Sequence, residues 1–254
     1  MSERQAENSP YLSVSVHFYN EEESIEEVCE EVHQVLDRKV EGGWELIMVN
    51  DGSTDRTPEL MEGLATKYPH FRGITLIPNS GESAAMEAGF RAARGEVIAN
   101  MDGDGQNDPK DFLPLLEEMQ KRGVDMMCGI RANRQDTWFR RFSSRFANGI
   151  RSWLLEDNIT DVGCSLRVFR RSCIRDVGFF RHSHRYFPAL VIHRGFKVAE
   201  MPVNHRPRKH GTSKYGKGFA RLWAGIVDIL GVFWLKKRAH CYRVREVPCQ
   251  KPPQ

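Results

Sequence analysis

Two carboxylates and an amide oxygen stand on alternate positions of a glycine-loosened segment, Asp102-Gly103-Asp104-Gly105-Gln106. Hard oxygen ligands of this kind suit Mg2+ or Mn2+, ions that keep several waters and bridge substrate phosphates. For the segment alone, an Asp/Gly turn capping the next helix is the plain alternative. EF-hand calcium binding is poorly supported: Leu113, not a glutamate, occupies the twelfth loop position. Two more polar segments precede it, Tyr19-Asn20-Glu21-Glu22 and Asp51-Gly52-Ser53-Thr54-Asp55. The second reads by itself as a turn and helix cap. Far along the chain, residues 206–214 (RPRKHGTSK) gather four Lys or Arg. Acid early and base late is the chemical theme.

The elements that must position these groups follow from the apolar pattern. Strands are predicted over 13–18, 45–50, 73–77, 97–101 and 125–128, with helices over 22–38, 58–67, 83–93 and 109–121. Pro58 and Pro109 fall where a first helical turn tolerates proline. Alternation at this spacing argues for βαβ units, hence an α/β fold with a Rossmann-like, mostly parallel sheet flanked by helices. In such sheets the ligand crevice lies beyond the carboxyl ends of the strands. That rule selects 19–22, 51–55 and 102–106. After residue 128 the pattern changes to an Arg-rich stretch (137–155), a strand (164–169), a helix (171–177), a strand (198–204) and a last helix (217–235). No Pro/Gly/Ser-rich linker intervenes, so this basic half extends the same domain.

The whole chain has 254 residues, 40% hydrophobic and 28% charged, with a net charge of +3. That composition excludes collagen-like, disulfide-scaffold and disordered classes. The small net charge hides a division. Residues 1–127 carry 11 Lys and Arg against 26 Asp and Glu, whereas residues 128–254 carry 26 against 8. The six cysteines form no CxxC pair and no zinc-spaced cluster, so they read as reduced structural thiols. Residues 1–10 have no apolar run and read as a disordered lead rather than a secretory signal. The apolar run 222–235 is interrupted by Asp228 and rises about 21 Å as a helix, short of a ~30 Å hydrocarbon core.

Six segments in order resemble a known family. HFYNEEE (17–23), NDGSTD (50–55), NSGESAAMEAGF (79–90) and DGDGQNDP (102–109) resemble the motifs of family 2 inverting glycosyltransferases with the GT-A fold. DVGCSLRVFRR (161–171) and HRPRKHGTSKYG (205–216) narrow the resemblance to polyprenyl-phosphate sugar transferases of the dolichol-phosphate mannose synthase type. It covers 11–220, with 11–127 as the nucleotide-sugar and metal half and 128–220 as the acceptor half. A helix over 217–238 and a flexible tail over 239–254 complete the division.

The resemblance implies that Tyr19, Glu21, Asp51, Gly81, Asp102 and Gly103 hold the nucleotide-sugar donor. It implies Asp102, Asp104 and Gln106 as ligands of Mg2+ or Mn2+. The acceptor phosphate falls to Arg131, Arg140 (with Arg141 as the alternative register), Ser144, Arg208 and Lys214. Asp104, Arg131 and Asp161 are the implied catalytic residues, Asp161 as a base or as an orienter of the cations. A lipid phosphate is already a nucleophile at neutral pH, so a cationic cradle matters more than a strong base. The chain departs from the family pattern at His17, usually proline, at Asn50, often aspartate, and at Glu82 and Ser83. The expected partners are a nucleotide sugar, a polyprenyl phosphate and a membrane surface, with the protein cytoplasmic and peripheral at the inner face. Nucleic acid is not expected, because no RRM, KH or zinc pattern accompanies the basic half.

Two points stay open on sequence. A hydroxyl acceptor would need a carboxylate base, for which Asp161 is the candidate. The last helix carries a broad apolar stripe (Phe219, Leu222, Trp223, Ile226, Ile229, Leu230, Phe233, Trp234) ended by Lys236-Lys237-Arg238. That pattern fits a membrane-interface helix or one packed on the core.

Overall fold

The computed structural model describes residues 9–132, 149, 151–209 and 219–238, with side chains from 225 onward in the last stretch. Within them the chain runs β1 (Leu12–Phe18), α1 (Ile25–Leu36), β2 (Trp44–Asn50), α2 (Thr57–Lys67), β3 (Phe71–Thr75), α3 (Glu82–Ala92) and β4 (Val97–Asp102). It continues with α4 (Phe112–Arg122), β5 (Met126–Arg131), β6 (Arg167–Arg170), α5 (Phe187–His193), β7 (Val198–Val203) and α6 (Phe219–Arg238).

The seven strands form one sheet in the order β3-β2-β1-β4-β6-β5-β7. All neighbours are parallel except β6, which runs antiparallel to both β4 and β5. The order reverses between β1 and β4: the chain winds outward from β1 through β2 to β3, then returns to β1's other side. A crevice must open at such a switch point. Apolar side chains fill both faces of the sheet. On one face α1, α2 and α4 pack over Val14, Leu46, Val97 and Ala99. On the other, α3, α5 and α6 pack over Ile47, Val49, Ile98 and Phe169. Burial on both faces overrides the alternation of β1, whose Ser13 is fully buried and donates its hydroxyl to Glu45 at 2.7 Å.

Several element bounds differ from the sequence-based expectation. The helix expected over 171–177 is a single 3-10 turn, Arg171–Ile174, closed by Arg175 N–H to the Ser172 carbonyl. The α5 helix was not expected. It is only seven residues long, opens on Pro188 and presents buried Phe187, Ala189, Leu190 and Val191 on nearly every side. An all-round apolar segment of that length carries no helical period. For α6, one side packs on the core. Val232 is fully buried, and Ile229 and Phe233 pack on the α3/α5 core. On its other side Ile226, Val227, Leu230 and Trp234 are exposed.

Candidate active site

A cavity of about 320 Å3 opens where β1, β2 and β4 end. Its wall includes Tyr19, Glu21, Asp51, Gly81, Asp102, Gly103, Asp104 and Arg208, all expected from the sequence, together with His17, Asn79 and Glu82. The loops that follow β1 and β2 are laced together. Asn20 N–H donates to Ser53 Oγ at 2.9 Å, Thr54 N–H to Asn20 Oδ1 at 2.8 Å, and Glu21 N–H to Thr57 Oγ1 at 3.0 Å. Much of the Ser53–Asp55 motif is therefore scaffolding that holds Tyr19 and Glu21 at the rim.

Asp51 is a clip. Its carboxylate accepts from Ser80 N–H at 2.8 Å, from Gly81 N–H at 2.9 Å and from the Asn79 amide at 3.0 Å. The 79–81 loop, which opens α3, is thereby drawn over the cavity. Gly52 is required here: its φ is +67°, and a Cβ would come within 2.7 Å of Asn79 N. Gly103 is required for a different reason. Its N–H donates to the His17 carbonyl at 3.0 Å, and a Cβ would stand 2.2 Å from the Phe18 ring. Only glycine lets β4 cross the end of β1 this closely, and that crossing brings Asp102 and Asp104 into the cavity.

The two aspartates have different surroundings. Asp102 Oδ1 lies 2.8 Å from His17 Nε2, opposite it in the β1–β4 register. Burial disfavours the Asp102 anion, but His17 and Ser165 more than offset it, and the carboxyl stays below its ordinary range. Asp104 is pushed up to about 6 by burial and by the charge of Asp102, against the pull of Gln106 N–H and Arg208. Arg208 Nη2 lies 2.5 Å from Asp104 Oδ2, and its Nη1 lies 3.6 Å from Glu21. Gln106 turns its side-chain amide to the Arg206 carbonyl at 3.4 Å. Among the described residues, the His, Cys, Asp and Glu side chains whose ligand atoms cluster in threes within 4.8 Å are His17, Glu82 and Asp102. Oxygen donors with one imidazole fit a small divalent cation.

Arg131 and Asp161 pair with each other and do not line this cavity. Arg131 donates Nε to Asp161 Oδ2 at 2.8 Å and Nη2 to Oδ1 at 2.7 Å, and its backbone N–H adds a bond of 3.1 Å. Asp161 is 5% exposed. The basic segment after β7 lies across the acidic half. Arg206 holds Glu31 bidentately at 2.8 and 2.7 Å and Asp108 at 2.6 Å, while Lys209 pairs with Glu27 on α1. Arg208, which the resemblance assigns to the acceptor phosphate, thus contacts Asp104 and Glu21. Arg140, Ser144 and Lys214 lie outside the described residues.

Residues 13–178 match the family described as glycosyl transferase family 2. The chain belongs to that family. It is therefore a glycosyltransferase, and its sheet has the GT-A fold. Over 237 residues it is 39% identical to a dodecaprenyl-phosphate galacturonate synthase of Rhizobium johnstonii, covering 90% of this chain and 68% of that one. Over 208 residues it is 34% identical to an undecaprenyl-phosphate 4-deoxy-4-formamido-L-arabinose transferase of Edwardsiella ictaluri, covering 81% and 63%. The chain thus spans about two thirds of the length of these relatives. In fold it resembles a mannosyltransferase of Pyrobaculum calidifontis in complex with GDP-Man and Mn2+, with a TM-score of 0.61, 18% identity, and coverage of 92% of this chain and 66% of that one. Among the described residues, no helix of this glycosyltransferase is long and apolar enough to cross a membrane.

Sequence reasoning missed how His17, Glu82 and Asn79 enter the site and how Arg206 anchors the segment that carries Arg208. His17 and Glu82 carried a signal, since both depart from the family pattern. Arg206 carried none, because its partner Glu31 is 175 residues away.

Proposed function

We propose that this glycosyltransferase moves a hexose from a nucleoside diphosphate to a polyprenyl phosphate, assisted by Mg2+ or Mn2+ and with inversion at the anomeric carbon. One observation carries the choice of acceptor: the two Asp161 oxygens are both held by Arg131. A carboxylate gripped in this way is a poor proton acceptor, and a hydroxyl acceptor needs a base. A phosphate needs none. The relatives that act on dodecaprenyl and undecaprenyl phosphate support the same acceptor class.

In this reading Tyr19 and the Asp51-clipped loop hold the nucleoside, and Asp102 and Asp104 would hold the cation. When bound, that cation neutralises the charge developing on the leaving diphosphate. Arg131 spends two of its five guanidinium donors on Asp161 and keeps the others for the acceptor phosphate. The pairing fixes the plane of the guanidinium, so the phosphate is received in a set orientation.

The protein works at a membrane surface in this reading, because its acceptor lives there. Ile226, Leu230 and Trp234 recur every four residues on the exposed side of α6, and Lys236, Lys237 and Arg238 follow. That combination suits the headgroup layer. The deciding experiment is a screen of UDP- and GDP-sugars with undecaprenyl or dolichyl phosphate and Mn2+ or Mg2+, reading the glycolipid formed. Consumption of donor by hydroxyl acceptors, and by no lipid phosphate, overturns the proposal.

A further inference from the structure

His17 and Glu82 break the family pattern at separate points of the chain, yet they converge on Asp102. The β1–β4 register sets His17 opposite Asp102, and Asp51 draws the start of α3, with Glu82, over the same spot. The three ligand atoms all lie within 4.8 Å of one another. Two details show that the cluster is not a closed network of protein hydrogen bonds. His17 Nε2 meets Asp102 Oδ1 at 2.8 Å as an ion-pair contact, and among the described residues no donor reaches Oδ1 with full hydrogen-bond geometry. The His17 side chain itself is only 10% exposed, and its Nδ1 is also without a partner among the described residues. Buried polar atoms are normally paired, so an exception of this kind calls for a ligand.

We propose that His17, Glu82 and Asp102 form a cation site in which an imidazole nitrogen joins the carboxylate oxygens. Neighbouring ligands on an octahedral ion with bonds of about 2.1 Å lie roughly 3 Å apart, close to the separation of His17 Nε2 and Asp102 Oδ1. His184 supports the geometry from outside. Its Nδ1 contacts Ser83 Oγ at 2.8 Å and its Nε2 lies 3.4 Å from Glu82, which fixes the start of α3. The consequence is selectivity. Carboxylate and water ligands serve Mg2+ well, whereas a nitrogen ligand shifts a site toward first-row transition ions, so this site takes Mn2+ or Co2+ in preference to Mg2+. The inference rests on the donor cavity being the cation-binding region, and its test separates the two.

The test uses the full chain titrated with Mn2+ alone, the bound ion being read by pulsed EPR. A nitrogen-14 coupling is expected in the unaltered protein and is lost in His17→Gln, with Mn2+ affinity at least tenfold weaker. Glu82→Gln, at a half-buried helix start, is expected to weaken Mn2+ tenfold without changing the thermal melting point. Excess Mg2+ displaces Mn2+ poorly from the unaltered protein and readily from either variant. Absence of bound Mn2+, bound Mn2+ without nitrogen coupling, or a coupling that persists in His17→Gln overturns the inference. Glycolipid formation in those cases leaves the proposed function standing. Nitrogen coupling without any lipid product does the reverse.

Discussion

Arg131 and Asp161 are joined by two parallel bonds of 2.8 and 2.7 Å, so the carboxylate and the cation proposed to meet the acceptor are one unit. Residue 161 reaches this position because Asp161 N–H and Thr160 donate to Glu200 on β7, which runs beside β5. The pair is thus built from three separate parts of the chain, and it separates two mechanisms.

Asp161→Asn is expected to raise the KM for lipid phosphate tenfold or more while changing kcat much less, because the guanidinium loses its orientation. Loss of a general base would instead lower kcat by 10²–10⁴-fold, about the whole contribution of such a base. Steady-state kinetics with undecaprenyl phosphate distinguish them. Arg131→Ala strands a buried carboxylate and is expected to cost about 3 kcal/mol or more of stability, read by chemical denaturation.

Arg208 places a cation on Asp104 and another contact near Glu21, so in the proposed reading it would compete with a divalent ion for Asp104. Arg208→Ala is expected to bind Mn2+ severalfold more tightly in calorimetry in the absence of donor. Transfer to lipid phosphate is expected to fall. If Mn2+ affinity drops, Arg208 supports the ion instead of opposing it.

Asp104→Asn is expected to lower the transfer rate by about 10²–10³-fold, since in the proposed reading it removes a carboxylate that would hold the charge-neutralising cation. Chelation with EDTA is expected to abolish transfer, and added Mn2+ to restore it. Activity that survives chelation would exclude the metal.

Gly103→Ala sets a methyl group 2.2 Å from Phe18, a fully packed ring at the end of β1. Overpacking of this kind costs about 1–3 kcal/mol. A fall in melting temperature of several degrees is expected, with donor binding lost alongside it as the 102–104 segment moves.

The apolar stripe on α6 is tested without touching the core, because Leu230 and Trp234 are 55% and 59% exposed. Leu230→Glu and Trp234→Glu are expected to abolish flotation with vesicles containing anionic lipid and to leave the melting temperature unchanged. Activity on a short, water-soluble prenyl phosphate is expected to persist.

The sequence disclosed β2 and β4 well, because strands buried on both faces appear as largely apolar runs bounded by polar turns, and β1 through its alternating apolar residues. It disclosed the polar loops beyond them for the same reason. Other features were hidden, each for a physical reason. The contact between His17 and Asp102 depends on the β1–β4 register, and a register is a relation between strands that neither strand encodes alone. The basic cluster suggested phosphate binding, yet Arg206 and Lys209 are held by Glu31, Asp108 and Glu27. Composition reveals the number of cations, whereas their partners follow from the docking of the 204–209 segment on α1. The one-turn 3-10 segment at Arg171–Ile174 shows the same limit, since a polar helical pattern does not guarantee a helix where the chain must turn.

The clamp of Arg206 on Glu31 and Asp108 also bears on how such an enzyme can be rebuilt. Because the late segment is bolted to the early helix, the first 127 residues are not an exchangeable cassette. A chimera that joins another family member's first 127 residues to this chain's remainder would carry a cation without its two acidic seats. Swaps intended to change donor preference would have to carry Glu31 and Asp108 with them, or replace Arg206 in the same step.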